Sequence, residues 1–117
     1  MKKILVVDND LDTLNVVKVV LTDHFIVKTI SKWQIVLKTV KTFMPDLILM
    51  DIDLEGKDGS DICKTLKDKK ETRHLPVILF SGHRMPKEYL KACDAQGFLA
   101  KPFGPSGLLK VISDNLN

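Results

Sequence analysis

Apolar residues along this chain follow two spacings. Short, nearly continuous runs occupy residues 4–7, 25–30, 47–50, 77–80 and 98–100. Each is too short for a globular helix, and a continuous apolar run is the pattern of a strand buried on both faces of a parallel sheet. Between the runs, apolar residues recur at helical intervals. Leu14, Val17 and Leu21 mark one helix; Trp33, Val36 or Leu37, and Val40 a second; Ile62 and Leu66 a third; Tyr89, Leu90 and Cys93 a fourth; Leu108, Ile112 and Leu116 a fifth. Start signals precede them: Asp10 or Asp12 for the first and Ser31 as N-cap of the second. The third begins after Gly59 and the fourth near Pro86, and Pro105 falls in the first turn of the fifth. Five strands alternating with five helices predict right-handed βαβ units, hence an α/β fold with a doubly wound parallel sheet. No repeat, low-complexity tract or linker interrupts the pattern. Residues 1–117 are therefore expected to form one domain, ending with the fifth helix and carrying no effector domain.

Polar residues gather where the runs stop. The segment 45–54 reads Pro-Asp-Leu-Ile-Leu-Met-Asp-Ile-Asp-Leu, with Gly56 and Gly59 following. Asp51 thus ends a buried strand, at the sheet edge where open α/β folds bind ligands. The other strands deliver to the same edge: the first supplies Asp8, Asn9 and Asp10, the third adds Asp53, the fourth Ser81 and the fifth Lys101. Four carboxylates in one small region repel one another, and a hard cation with oxygen ligands neutralises them. Mg²⁺ suits a site with few protein ligands and several retained waters. A hydroxyl and an ammonium beside it match a phosphoryl oxyanion. An aspartate beside a metal can itself act as nucleophile and form an acyl phosphate. Taken singly, each residue has a plainer reading: Asp8 and Asp10 as helix caps, Asp51 and Asp53 as turn residues, Ser81 and Lys101 as solvated loop residues. Their arrival after four different strands is what makes the set specific.

Composition narrows the picture further. A length of 117 residues suits one domain with its own core. The net charge of +3 raises the question of nucleic acid. However, the densest basic stretch, Lys64 to Arg73, is broken by Asp68 and Glu71, and reads as a solvated helix face. No nucleic-acid-binding pattern accompanies it. The first apolar run stops at Asp8, too early for a secretory signal, and nothing approaches the roughly 20 apolar residues of a membrane span. Cys63 and Cys93 lack metal-ligand spacing and read as small core hydrophobes in a reducing cytoplasm. His83 reads as a solvated loop histidine, His24 and His74 have no motif around them, and Trp33 is a helix-face packing residue.

Five segments, in order, resemble the receiver domains of bacterial response regulators: Ile4-Leu5-Val6-Val7-Asp8-Asn9-Asp10; Pro45 through Leu54; Gly56-Lys57-Asp58-Gly59; Val77-Ile78-Leu79-Phe80-Ser81-Gly82; and Gly97-Phe98-Leu99-Ala100-Lys101-Pro102-Phe103. The resemblance covers essentially the whole chain. It implies a flavodoxin-like (βα)5 sheet of order 2-1-3-4-5. By position it makes Asp51 the phosphoacceptor, charged from the phosphohistidine of a sensor histidine kinase or phosphotransfer protein. Asp8, Asn9 and Asp51, with the backbone carbonyl of Asp53, fall at the Mg²⁺ site. Ser81 and Lys101 face the phosphoryl group, and the peptide before Pro102 is expected to be cis. Phe98 takes the aromatic switch position, and the fourth helix, fifth strand and fifth helix form the output face. Asn9 departs from the family's second acid, which weakens the expected Mg²⁺ site without abolishing it. Glu55 replaces a proline, Ser81 a threonine and Phe98 a tyrosine; Asp53 and His83 occupy variable positions that tune dephosphorylation. The expected role is a cytoplasmic signalling switch, not a conventional enzyme. Two alternatives stand beside it. A pseudo-receiver would keep the fold and the partner face, with Asn9 making phosphorylation inefficient. A phosphohydrolase like the haloacid dehalogenases also uses an Asp-x-Asp motif, but places it after the first strand.

Overall fold

A computed structural model gives the architecture, describing residues 1–82 and 87–116, the side chains of 87–89 excepted. The readings of His83, Pro86 and the Tyr89 side chain lie outside the described residues. Five parallel strands form one sheet: β1 (Lys3–Val7), β2 (Ile26–Ile30), β3 (Leu47–Asp51), β4 (Val77–Ser81) and β5 (Gly97–Ala100). Their spatial order is β2-β1-β3-β4-β5, the doubly wound order expected from the resemblance. Helices α1 (Leu11–Thr22), α2 (Val36–Phe43), α3 (Gly59–Asp68), α4 (Lys87–Cys93) and α5 (Pro105–Asn115) link the strands.

Strand alternation sorts the core into two layers. Leu5, Val7, Ile48, Met50, Val77 and Leu79 face α2, α3 and α4, where they meet Val36, Val40, Ile62, Leu66 and Cys93. Ile4, Val6, Leu47, Leu49, Ile78 and Phe80 face α1 and α5, against Leu14, Val17, Leu21, Leu108 and Ile112. Strands β1, β3 and β4 read as unbroken apolar runs because both of their faces are covered. Cys63 and Cys93 are buried free thiols, as read from the sequence. The Cys63 Sγ donates to the Cys93 carbonyl at 3.2 Å, and burial pushes its thiol up to about 12.

Several boundaries differ from the sequence reading. Ser31 does not cap the second helix. A 3-10 turn, Trp33–Ile35, intervenes, and its flanking Lys32 makes no side-chain cap bond. Asp10, not Asp12, caps α1 by accepting from the Asp12 amide at 3.1 Å. Gly59 is the first residue of α3, and Asp58 is its cap, accepting from the Ser60 amide at 2.9 Å. Leu116 closes α5 rather than extending it. A two-residue antiparallel ribbon, Asp53–Leu54 with Lys57–Asp58, occupies the loop between β3 and α3, too short to leave a mark in the hydrophobic pattern. Among the described residues, no helix is long and apolar enough to cross a membrane.

Candidate functional site

The register of β1 on β3 decides the site. Val7 lies opposite Met50, so Asp8 and Asp51 come out side by side, one residue beyond, at the carboxyl edge of the sheet. Both follow the parity of Val6 and Leu49 and lie on the α1/α5 side. Lys101 follows the parity of Leu99 on the same side. Its Nζ bonds the Oδ2 of Asp8 at 2.9 Å and the Oδ2 of Asp51 at 2.8 Å. The ammonium also sits 5.0 Å from the centre of the Phe80 ring, a cation–π floor that the sequence reading missed. The parity of Phe80 with Ile78 was the signal that would have found it.

The second oxygen of each carboxylate is held by its own loop. Asp8 Oδ1 accepts from the Asp10 amide at 2.9 Å, and Asp51 Oδ1 accepts from the Asp53 amide at 2.9 Å. Both side chains are therefore aimed before any ligand arrives. Asp8 is fully buried and Asp51 is 5% exposed. Ser81, also buried, ends β4, and its carbonyl accepts from the Lys101 amide at 2.8 Å. The Lys101–Pro102 peptide is cis, as expected. Phe98 is half-buried against the α2–α4 layer, so Ser81 and Phe98 share the parity of the sheet face opposite the two aspartates. Asn9 and Asp53 are exposed at the rim. Asp10 stands apart: its oxygens hold the Asp12 amide and the Thr13 hydroxyl, at 3.1 and 2.8 Å. Those bonds, the hydroxyl's first, hold its carboxyl below the usual range. It acts as a helix cap.

Charge at the centre does not balance. Two buried carboxylates face one ammonium, leaving one negative charge in surplus. Desolvation lifts Asp8 above the ordinary 3.8, against the pull of the Asp10 amide and Lys101. Burial depresses Lys101, but its hydrogen bonds to Asp51 and Asp8 outweigh it, and the net direction is upward. The two directions are compatible because one ammonium is shared between two acids. A small cation at the rim would cancel the surplus. Among the described residues no three His, Cys, Asp or Glu side chains are grouped to cage a metal. The donor set is therefore two carboxylates supplemented by neutral oxygens and water, which fits Mg²⁺.

A prediction follows from the raised Asp8. A folded-state value above the unfolded one gives a contribution to stability that is full below 3.8 and lost as pH rises through the raised value. Asp8→Asn escapes that loss. In chelator, the variant is expected to melt above wild type near neutral pH. The gap should close well below pH 3.8, where the wild-type side chain is neutral in both states. Thermal melts at the two pH values check this, and a variant less stable than wild type at neutral pH contradicts it.

A groove of about 500 Å³ opens next to the site, lined by Asp12, Thr13, Val16 and Val17 of α1 and by Gly82, Lys101, Pro102 and Phe103. The signature of the response regulator receiver domain matches residues 4–113. The chain belongs to that family. The receiver fold superposes on the chemotaxis response regulator CheY4 of Vibrio cholerae with a TM-score of 0.91 and 27% identity, covering 99% of both chains. It is 32% identical to the response regulator PleD of Caulobacter vibrioides over 103 residues, which are 86% of this chain and 23% of PleD. It is 35% identical to the polar-differentiation response regulator DivK of Brucella ovis over 74 residues, 62% of this chain and 60% of DivK. This chain thus spans about a quarter of PleD and less than two thirds of DivK. Receiver domains are modules of two-component signalling.

Proposed function

We propose that this receiver domain accepts a phosphoryl group on Asp51 from the phosphohistidine of a sensor kinase or phosphotransfer protein, and passes the event on as a conformational change. The observation that carries the reading is the Lys101 ammonium held between Asp8 and Asp51, at 2.9 and 2.8 Å. A lysine bridging two carboxylates of unlike surroundings is what a site needs to neutralise an incoming phosphoryl group. A carboxylate oxygen of Asp51 forms the new P–O bond. The P–N bond of the donor breaks, its electron pair leaves with the imidazole, and Asp51 becomes an acyl phosphate. Lys101 then engages the phosphoryl oxygens, and the Ser81 hydroxyl closes on them from the next strand.

Asp8 and Asp51, with the side-chain oxygen of Asn9 and the backbone carbonyl of Asp53, are the groups that would hold Mg²⁺. The ion supplies charge neutralisation to the phosphoryl oxygens. Asn9 keeps an oxygen donor and gives up a charge, so the site binds Mg²⁺ more weakly than a double acid would. The donor approaches over the groove between α1 and the loop after β5, where Val16 is exposed beside the polar rim. Phe98 filling the space behind a displaced Ser81 would carry the change to the face formed by α4, β5 and α5, where a downstream protein binds. The domain works in the cytoplasm, where sensor kinases present their phosphohistidines, and needs neither nucleic acid nor membrane.

Acetyl phosphate with Mg²⁺ tests the reading. Intact-mass measurement is expected to show one added phosphoryl group that hydroxylamine removes. A chain that stays unmodified overturns it and leaves the pseudo-receiver.

A further inference from the structure

We infer that Trp33 is a positioning residue for the phosphoacceptor loop, acting from the 3-10 turn that precedes α2; this rests on the reading of Asp51 and Asp53 given above. The loop 52–58 carries the Asp53 amide that aims Asp51 and the Asp53 carbonyl offered to Mg²⁺. Its root is well anchored. The Ile52 amide donates to Phe80 at 3.0 Å, the Gly59 amide donates to Ile52 at 2.8 Å, and Leu54 is buried. Its tip is not. The ribbon pairs only Asp53 with Asp58 and Leu54 with Lys57, and so short a hairpin has little stability of its own in water. Gly56, at φ 77°, turns it with no atom within 4 Å of where a Cβ would stand.

What holds the tip comes from 22 residues earlier in the chain. The Trp33 indole N–H donates to the Glu55 carbonyl at 3.1 Å. The same ring takes the Lys57 ammonium at 5.4 Å from its centre. Both neighbours of the turn glycine are thus gripped by one side chain. The indole itself is seated against the α2–α3 core layer that also receives Leu54 and Ile52, and it lies on the 3-10 turn that displaced the expected Ser31 cap. A partly buried aromatic body packed against the core, with its N–H turned to the loop, suits a clamp. Orienting contacts of this kind set metal affinity through the groups they hold rather than by touching the ion.

Trp33→Phe keeps the ring and removes the N–H. Two measurements read the outcome. Hydrogen exchange of the amides at 53–58, in chelator, needs no metal and is expected to quicken in the variant while the strand amides keep their protection. Calorimetric Mg²⁺ titration is expected to show affinity weakened roughly tenfold, with the melting temperature nearly unchanged. Because Trp33 is the chain's only tryptophan, its emission in wild type should follow the same Mg²⁺ midpoint. Unchanged exchange at 53–58 overturns the clamp. Faster exchange with equal Mg²⁺ affinity in variant and wild type leaves Trp33 a purely structural contact and overturns the positioning role alone. A wild type that binds no Mg²⁺ overturns the reading of the site, and the positioning role with it.

Discussion

Asp51→Asn is expected to take up no phosphoryl group under conditions that label wild type, while Asp53→Asn labels normally. The two residues are alike in type and two positions apart, so their difference is set by placement. Asp51 is 5% exposed, ends the central strand and shares the Lys101 ammonium with Asp8. Asp53 is exposed, and its amide donates to Asp51 itself. Asparagine has the shape of aspartate and can still accept the Asp53 amide, so the loop keeps its course. Its amide nitrogen carries no free lone pair to attack phosphorus, and one buried charge is lost beside a lysine that retains Asp8. Loss of labelling in Asp51→Asn with wild-type circular dichroism is the expected result. A phosphoryl group that persists there overturns the assignment of Asp51.

The second large effect is one of stability. Gly59→Ala is expected to destabilise the fold by about 3 kcal/mol or more, the range of severe overpacking. A Cβ on Gly59 would stand 2.2 Å from the Asp51 carbonyl oxygen, 2.9 Å from the Ile52 Cα and 3.0 Å from the Asp51 carbonyl carbon. All three are backbone atoms, so no side chain can swing aside. Relief requires moving the end of β3 or unwinding the first turn of α3. Alanine's better helix propensity returns at most about 1 kcal/mol, and the clash prevails. Urea unfolding gives the difference directly. Gly56→Ala is the comparison: its Cβ meets nothing, so the cost is only that of a positive φ, about 1 kcal/mol. A Gly59→Ala protein as stable as the Gly56→Ala protein contradicts the prediction.

Legibility in the sequence followed how strongly burial constrains each position. Strands β1, β3 and β4 are covered on both faces, so their apolar runs announced them and nearly fixed their limits. Leu14, Val17 and Leu21 are all buried on one side of α1, and the 3.6-residue period reported that face. The grouping of Asp8, Asp51 and Lys101 was legible because parallel strands must all end at one edge, which brings their last residues together. What stayed hidden depends on three-dimensional neighbours. The Trp33–Ile35 turn replaced the Ser31 cap because Trp33 reaches Glu55, a partner 22 positions away. α2 stops on Met44 in the left-handed region at φ 54°, with no glycine to announce it. Gly59 was visible only as a helix start; its approach to the Asp51 carbonyl is a packing fact. Phe80 looked like one more core residue until the register placed Lys101 above it.

The division of the sheet into two faces has a consequence for how such a sequence can diverge. The aspartates and the lysine side chain lie on one face, Ser81 and Phe98 on the other, and the Lys101 amide bonded to the Ser81 carbonyl joins them at the rim. In the proposed cycle only Ser81 and Phe98 among the strand residues have to change contacts for an event on one face to be felt on the other. Selection on signalling then falls on a few rim positions, and the layers beneath answer only to volume and apolarity. The fold itself tolerates wide change in sequence: the backbone superposes on CheY4 at a TM-score of 0.91 with only 27% identity.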